Sequence, residues 1–183
     1  MDGRKGLLSI FGAFLAPVIV AAIVYKAGWF NAGVTNKGEF MDKEITLSWI
    51  LPERAEDTQW VIFYHIPSEC NERCENVLYS LNQGYQALGK LQGKAHPVSV
   101  RNNDSTISAD RLQSEFGYIR NREYQAEFSS TLNELSSEFI YLVDPFGRVV
   151  LKYPAKADRK EAILATKDWM ADLKRLLKYS RTS

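Results

Sequence analysis

The stretch from Gln59 to Val77, QWVIFYHIPSECNERCENV, decides how this sequence folds. Its opening QWVIFY is a short apolar run of the kind a central strand shows when both its faces are covered. Beyond the two cysteines, Val77, Leu78, Leu81, Tyr85, Leu88 and Leu91 recur mainly at spacings of three and four, one stripe of an amphipathic helix that ends near Gly93. Cys70 and Cys74 therefore lie at a strand-to-helix turn.

Working outward, HPVSV (His96–Val100) reads as another strand and Ser108–Phe116 as a short helix opened by Ser108. Phe128–Leu135 is a weaker helical stretch. FIYLV (Phe139–Val143) and RVVLKY (Arg148–Tyr153), joined by Asp144-Pro145-Phe146-Gly147, form a hairpin with suitable turn residues. Ile163, Leu164, Met170, Leu173, Leu176 and Leu177 outline a C-terminal amphipathic helix. On the N-terminal side, EITLSWIL (Glu44–Leu51) alternates as a strand does, and the polar, glycine-containing residues before it read as a linker. This order predicts an α/β fold, a thioredoxin-like sandwich over residues 43–183.

The first 30 residues are of another kind. LLSIFGAFLAPVIVAAIVY, Leu7–Tyr25, carries no charge, and as a helix rising about 1.5 Å per residue it spans roughly 28 Å, near the hydrocarbon thickness of a bilayer. Pro17 is tolerated within a membrane span, and Trp29 and Phe30 follow where aromatic rings favour the headgroup region. The expectation is a transmembrane anchor over residues 1–30 and a linker over 31–42. A cleaved signal peptide and a buried helix of a soluble fold are the competing readings; the apolar stretch exceeds the usual length of a signal-peptide core. Arg4 and Lys5 before the span nearly balance Lys26 and Lys37 after it, so charge leaves the orientation open. The short leading segment favours an N-terminus-inside signal anchor with the domain outside the cytoplasm. The formal net charge of +1, from 23 basic and 22 acidic side chains, gives no field for nucleic acid.

Cys70 and Cys74 are the only cysteines. In a helical segment, residues four apart share a face with Cα atoms about 6 Å apart, which admits a disulfide and also two sulfurs clasping one soft ion. The positive end of the helix, with Arg73, would stabilise thiolate, the form that attacks disulfides and binds metal. A structural disulfide or two unrelated core thiols are the bland alternatives; so short a loop yields only about 2 kcal/mol in the chain-entropy treatment. His65, five residues before Cys70, is a candidate metal ligand beside the two cysteines; His96 is a weaker one. Glu69, Glu72 and Glu75 read as a solvated face. No nucleophile elbow, phosphate loop or dinucleotide fingerprint occurs.

The strand WVIFY, Cys-x3-Cys opening a helix, HPVSV, and the hairpin FIYLVDPFGRVVLKY together resemble the Sco/SenC family of thioredoxin-like copper chaperones, over Trp60 to Tyr153. The phrase GWFNAGVTNKGEFM and the tail DLKRLLKYSRTS are more similar to small transmembrane proteins associated with bacterial cytochrome c oxidase. The resemblance implies a single-pass protein of the bacterial inner membrane, with its domain in the periplasm, serving the copper site of a cytochrome c oxidase subunit. It implies that Cys70 and Cys74 act by thiol-disulfide exchange or as ligands carrying Cu(I). The histidine that completes the family's copper site falls here near Ser136, so the third ligand does not carry over; two thiolates suffice for Cu(I) alone. The alternative is a non-catalytic scaffold of oxidase assembly whose disulfide is structural.

Overall fold

A computed structural model describes residues 3–26, 36–51 and 59–179, with side chains of the first helix from Gly12 onward. The chain divides into two units, residues 1–35 and 36–183. In the first, α1 (Gly3–Lys26) contains Pro17 and leaves Phe14, Val18, Val20, Ile23 and Tyr25 exposed. Among the described residues no helix is long and apolar enough to cross a membrane. Trp29, Phe30 and the first part of the expected linker lie outside the described residues.

In the second unit, alternation along the strands builds a core on each face of one sheet. β1 (Glu39–Phe40), β2 (Trp60–Ile66), β3 (Ala95–Arg101), β4 (Arg120–Glu123), β5 (Phe139–Val143) and β6 (Val149–Pro154) lie in the order β1-β6-β5-β2-β3-β4. β2 runs parallel to β3, and β3 to β4, whereas β5, β6 and β1 are joined by antiparallel pairing. The parallel step β2 to β3 needs a crossover, supplied by α2 (Glu72–Ala87) and a 3-10 turn over Gly89–Lys94. The apolar stripe on both sides of the break is one covering layer, which is why its periodicity runs past the end of α2.

Trp60, Ile62, Tyr64 and Ile66 face α2, α3 (Ala109–Glu115) and α5 (Arg159–Tyr179), packing with Val77, Leu81, Leu112, Trp169 and Leu173. Val61 and Phe63 face the other way, onto Ile45, Leu47, Ile50, Leu132 and Leu135; the covering elements there are the chain before β2 and the short α4 (Ser129–Asn133). α2 and α5 touch closely at Gly84, where an added Cβ would lie 2.5 Å from the Trp169 ring. The hairpin turn depends on Gly147, whose φ of +88° suits glycine and whose missing Cβ lets the Ser48 backbone approach. Asp144 completes it, its carboxylate accepting from the backbone N–H groups of Phe146 and Arg148 at 2.9 Å each.

Two expectations need correction. Glu44–Leu51 is not a strand: Thr46 forms a single bridge to Arg148, and Ser48–Ile50 is a 3-10 turn that buries Leu47 and Ile50 together. Alternation suggests an extended ladder here, but a tight turn inserts both apolar residues into the same core. Nor is all of residues 31–42 a linker. The buried carboxylate of Asp172 accepts from the backbone N–H groups of Lys37 (2.7 Å) and Gly38 (2.9 Å) and from the Tyr153 hydroxyl (3.0 Å), and Glu39–Phe40 pairs with β6. The folded unit therefore starts by Asn36, because a distant acidic side chain satisfies backbone donors that sequence composition assigns to a loop. Strand β4, polar and at the sheet edge, carries no apolar alternation from which to predict it.

Candidate redox site

The turn after β2 places Cys70 immediately before Asn71, the N-cap of α2, and Cys74 within its first turn. The Asn71 side chain accepts the Cys74 backbone N–H at 3.2 Å and its carbonyl accepts that of Glu75 at 3.0 Å, so two donors at the helix start are satisfied by one residue. Capping fixes the first turn with the cysteine Cα atoms 5.2 Å apart, and Cys70 and Cys74 are joined as a disulfide. Their exposure differs. Cys74 is 1% exposed within the core of the helical face, while Cys70 is half-buried at its margin. An approaching thiol reaches the Cys70 sulfur first.

Around the pair, Tyr64 is fully buried in the same core. Burial pushes its hydroxyl above the ordinary tyrosine range, with the Arg73 guanidinium acting in the opposite sense. Arg73 pairs with Glu138 at 2.7 Å, tying α2 to the segment before β5. Both partners are well exposed, so this pair positions more than it stabilises. Glu75 is bridged at 2.8 Å to Arg111, which also binds Glu115 at 2.9 Å, joining α2 to α3. The acidic triplet is thus partly committed to ion pairs.

His65 does not join the cysteines. It follows Val61 and Phe63 on the sheet face opposite Cys74, because side chains alternate along β2. Its Nδ1 lies 3.3 Å from the Leu135 carbonyl, and its Nε2 is buried without a partner. Proximity in sequence is overridden by the strand's period of two. His96 contacts Arg120 at 3.0 Å and the Tyr85 ring, also away from the pair. Ser136, where the resemblance puts a histidine, accepts the Glu138 N–H on its hydroxyl and the Tyr141 hydroxyl on its carbonyl. Among the described residues no group of three His, Cys, Asp or Glu side chains could hold a metal ion. The donor set that remains is two sulfurs, which fits a two-coordinate soft ion after reduction and no harder cation.

Sequence reasoning missed the loop Asn102–Thr106, which lies against the cysteine turn. The Cys70 N–H donates to the Thr106 hydroxyl at 2.8 Å, and the Thr106 N–H donates to the Ser68 carbonyl at 2.8 Å. Nothing in the linear pattern links residues so far apart, and NNDSTIS reads only as a connection.

Fold and site together define a thioredoxin-like domain with one accessible and one buried sulfur at the start of a helix. The chain belongs to the family described as transmembrane-like, thioredoxin-like, C-terminal domain, which matches residues 60–180. Solved structures of Sco1/SenC family proteins share the fold. Apo Sco1 from Thermus thermophilus is 16% identical, with a TM-score of 0.53 over 79% of this chain and 99% of that one. A SCO1/SenC family lipoprotein from Bacillus anthracis str. Ames is 15% identical, with a TM-score of 0.51 over 79% of this chain and 96% of that one. No curated protein matches the chain.

Proposed function

We propose that this protein is a membrane-tethered assembly factor for a respiratory cytochrome c oxidase, acting on the cysteines of the oxidase copper site through Cys70 and Cys74 by thiol-disulfide exchange. The observation that carries the reading is the asymmetric disulfide, half-buried at Cys70 and buried at Cys74. In the reduced protein the Cys70 thiolate attacks a sulfur of the client disulfide, forming a mixed disulfide and expelling a client thiolate that takes up a proton. The Cys74 thiolate then attacks the Cys70 sulfur, closing the Cys70–Cys74 disulfide and releasing the second client thiolate. Two electrons pass to the client, and a dithiol donor then reduces the Cys70–Cys74 disulfide back to two thiols, ending as its own disulfide. Asn71 and the start of α2 hold Cys74 where the second attack begins.

Cu(I) is a second cargo consistent with the same pair, since two thiolates can hold it without a third ligand. The exposed apolar side chains of α1, from Phe14 to Tyr25, support a bilayer as their covering; a bacterial inner membrane with the domain on the periplasmic side is proposed from the resemblance and the short leading segment. The test uses the full chain in detergent. Equilibration with dithiothreitol buffers should give a measurable two-electron potential, and the reduced protein should reduce a disulfide-bonded peptide carrying the cysteine pair of an oxidase copper site. A protein that does neither, and binds no Cu(I) against a chelator, is a scaffold with a structural bridge. Alkylation of reduced Cys70 from outside intact spheroplasts tests the orientation.

A further inference from the structure

The turn that carries Cys70 is held from outside its own helix. Every residue from Pro67 to Cys70 except Glu69 bonds the loop after β3. The Ser105 hydroxyl donates to the Pro67 carbonyl at 3.1 Å; Ser68 receives the Thr106 N–H on its carbonyl at 2.8 Å and bonds Asp104 and Asn102 through its hydroxyl at 3.4 Å each. Of these contacts only one touches a cysteine: the Thr106 hydroxyl accepts the Cys70 backbone N–H at 2.8 Å. Cys70 precedes the N-cap, so its N–H has no place in the α2 ladder, and Thr106 is its acceptor. Through its own N–H and its side chain, Thr106 thus grips the segment at two points, Ser68 and Cys70.

We propose that Thr106 is a positioning residue that holds the Cys70 backbone for ring closure and thereby sets the reduction potential of the Cys70–Cys74 disulfide. This rests on the thiol-disulfide reading above. Closing a disulfide from two thiols in one chain depends on the effective concentration of one sulfur at the other, and a backbone held before closure raises it. Cys74 is already fixed by the Asn71 cap and the core. Cys70 lies at the margin of the core and ahead of the α2 ladder, so the restraint from Thr106 on its backbone bears directly on the closed state. The balanced step is reduction by a dithiol. One donor thiolate attacks the Cys70 sulfur and Cys74 departs as thiolate; the second donor thiolate then attacks the first donor sulfur, freeing Cys70, and the donor ends as its own disulfide.

The test measures potentials of the full chain in detergent, by equilibration with oxidised and reduced dithiothreitol, for wild type, Thr106→Val, Thr106→Ser and Ser105→Ala. Valine keeps the shape and removes the acceptor. Its loss, of the order of one hydrogen bond, should weaken closure roughly tenfold, moving the potential about 30 mV less negative. Closure of a mixed disulfide by Cys74 should slow in parallel. Serine restores the hydroxyl and should restore both values; Ser105→Ala, which removes a bond to Pro67 and none to a cysteine, should leave both unchanged. An unchanged or more negative potential in Thr106→Val overturns the inference, as does a serine variant that matches valine or a Ser105→Ala shift of equal size. A wild-type disulfide that dithiothreitol does not open overturns this inference and the exchange reading together, whereas normal wild-type exchange with an unaltered Thr106→Val sinks only the former.

Discussion

The helical face of the sheet and the opposite face are built from the same strands but do different work. On the helical face, α2 and α5 cover Tyr64 and Ile66, exclude water from Cys74 and leave Cys70 at the edge. On the other face the covering is thin, α4 and a 3-10 turn, with Trp49 stacked on Phe128 at 4.5 Å between ring centroids and His65 against the Leu135 carbonyl. The sheet itself, one layer of backbone, separates His65 from the sulfurs. A residue five positions from a cysteine can therefore be chemically remote, while Thr106, far along the chain, touches it.

The largest effect that would break this division concerns the cysteines. Replacing both with serine should reduce exchange with a client peptide to background. Cys74→Ser alone should accumulate a mixed disulfide on Cys70, seen by mass spectrometry. Equal trapping on Cys74 in a Cys70→Ser variant would show that the difference in exposure does not order the two sulfurs.

Packing gives the next largest contrast. Trp169→Ala removes a side chain 1% exposed and wedged against Gly84, and should lower unfolding free energy by about 4 kcal/mol. Leu132→Ala on the thin face should lower it by about 3 kcal/mol. Urea midpoints measure both, and a Leu132→Ala loss larger than that of Trp169→Ala would reverse the ranking of the faces.

Alkali should sharpen the comparison because buried tyrosines lie on both faces. Burial raises Tyr141 to about 12, and raises Tyr64 and Tyr153 further, the latter with help from Asp172. Each folded-state value lies above the unfolded value of about 10. Their contribution is thus complete below about pH 10 and is lost as pH rises, for Tyr141 between about 10 and about 12. Tyr141→Phe should show a shallower decline in urea midpoint over that window. An unchanged slope would mean Tyr141 ionises alike in the folded and unfolded chains.

The smallest effect is expected at His65. His65→Ala should leave Cu(I) competition and the disulfide potential unchanged and shift stability by about 1 kcal/mol, the scale of one hydrogen bond. A tenfold loss of Cu(I) affinity would place the histidine at the sulfurs after all.

Much of this arrangement is legible in sequence. A continuous apolar run marks β2, two such runs around Asp144–Gly147 mark the β5–β6 hairpin, and a period near 3.6 marks α2 and α5, because strands covered on both faces are apolar throughout and helices covered on one face carry a stripe. The Cys-x3-Cys spacing at a strand-to-helix turn likewise locates the sulfurs, because local backbone geometry alone brings positions four apart together. Elements that bury little leave no such record. β4 is polar at an edge, β1 is two residues long, and the Asn36–Gly38 segment is secured by a carboxylate on α5.

By itself, then, the sequence determined the α/β class, the order of the main elements and the place of the reactive pair, all consequences of short-range periodicity and spacing. Only the tertiary structure decided that Cys70 is accessible and Cys74 is not, that His65 lies across the sheet, and that Thr106 grips the Cys70 backbone. Those outcomes depend on which face of a strand meets which helix and on which distant loop satisfies an unpaired N–H. Both are long-range matters of packing and hydrogen-bond satisfaction, which no local pattern encodes.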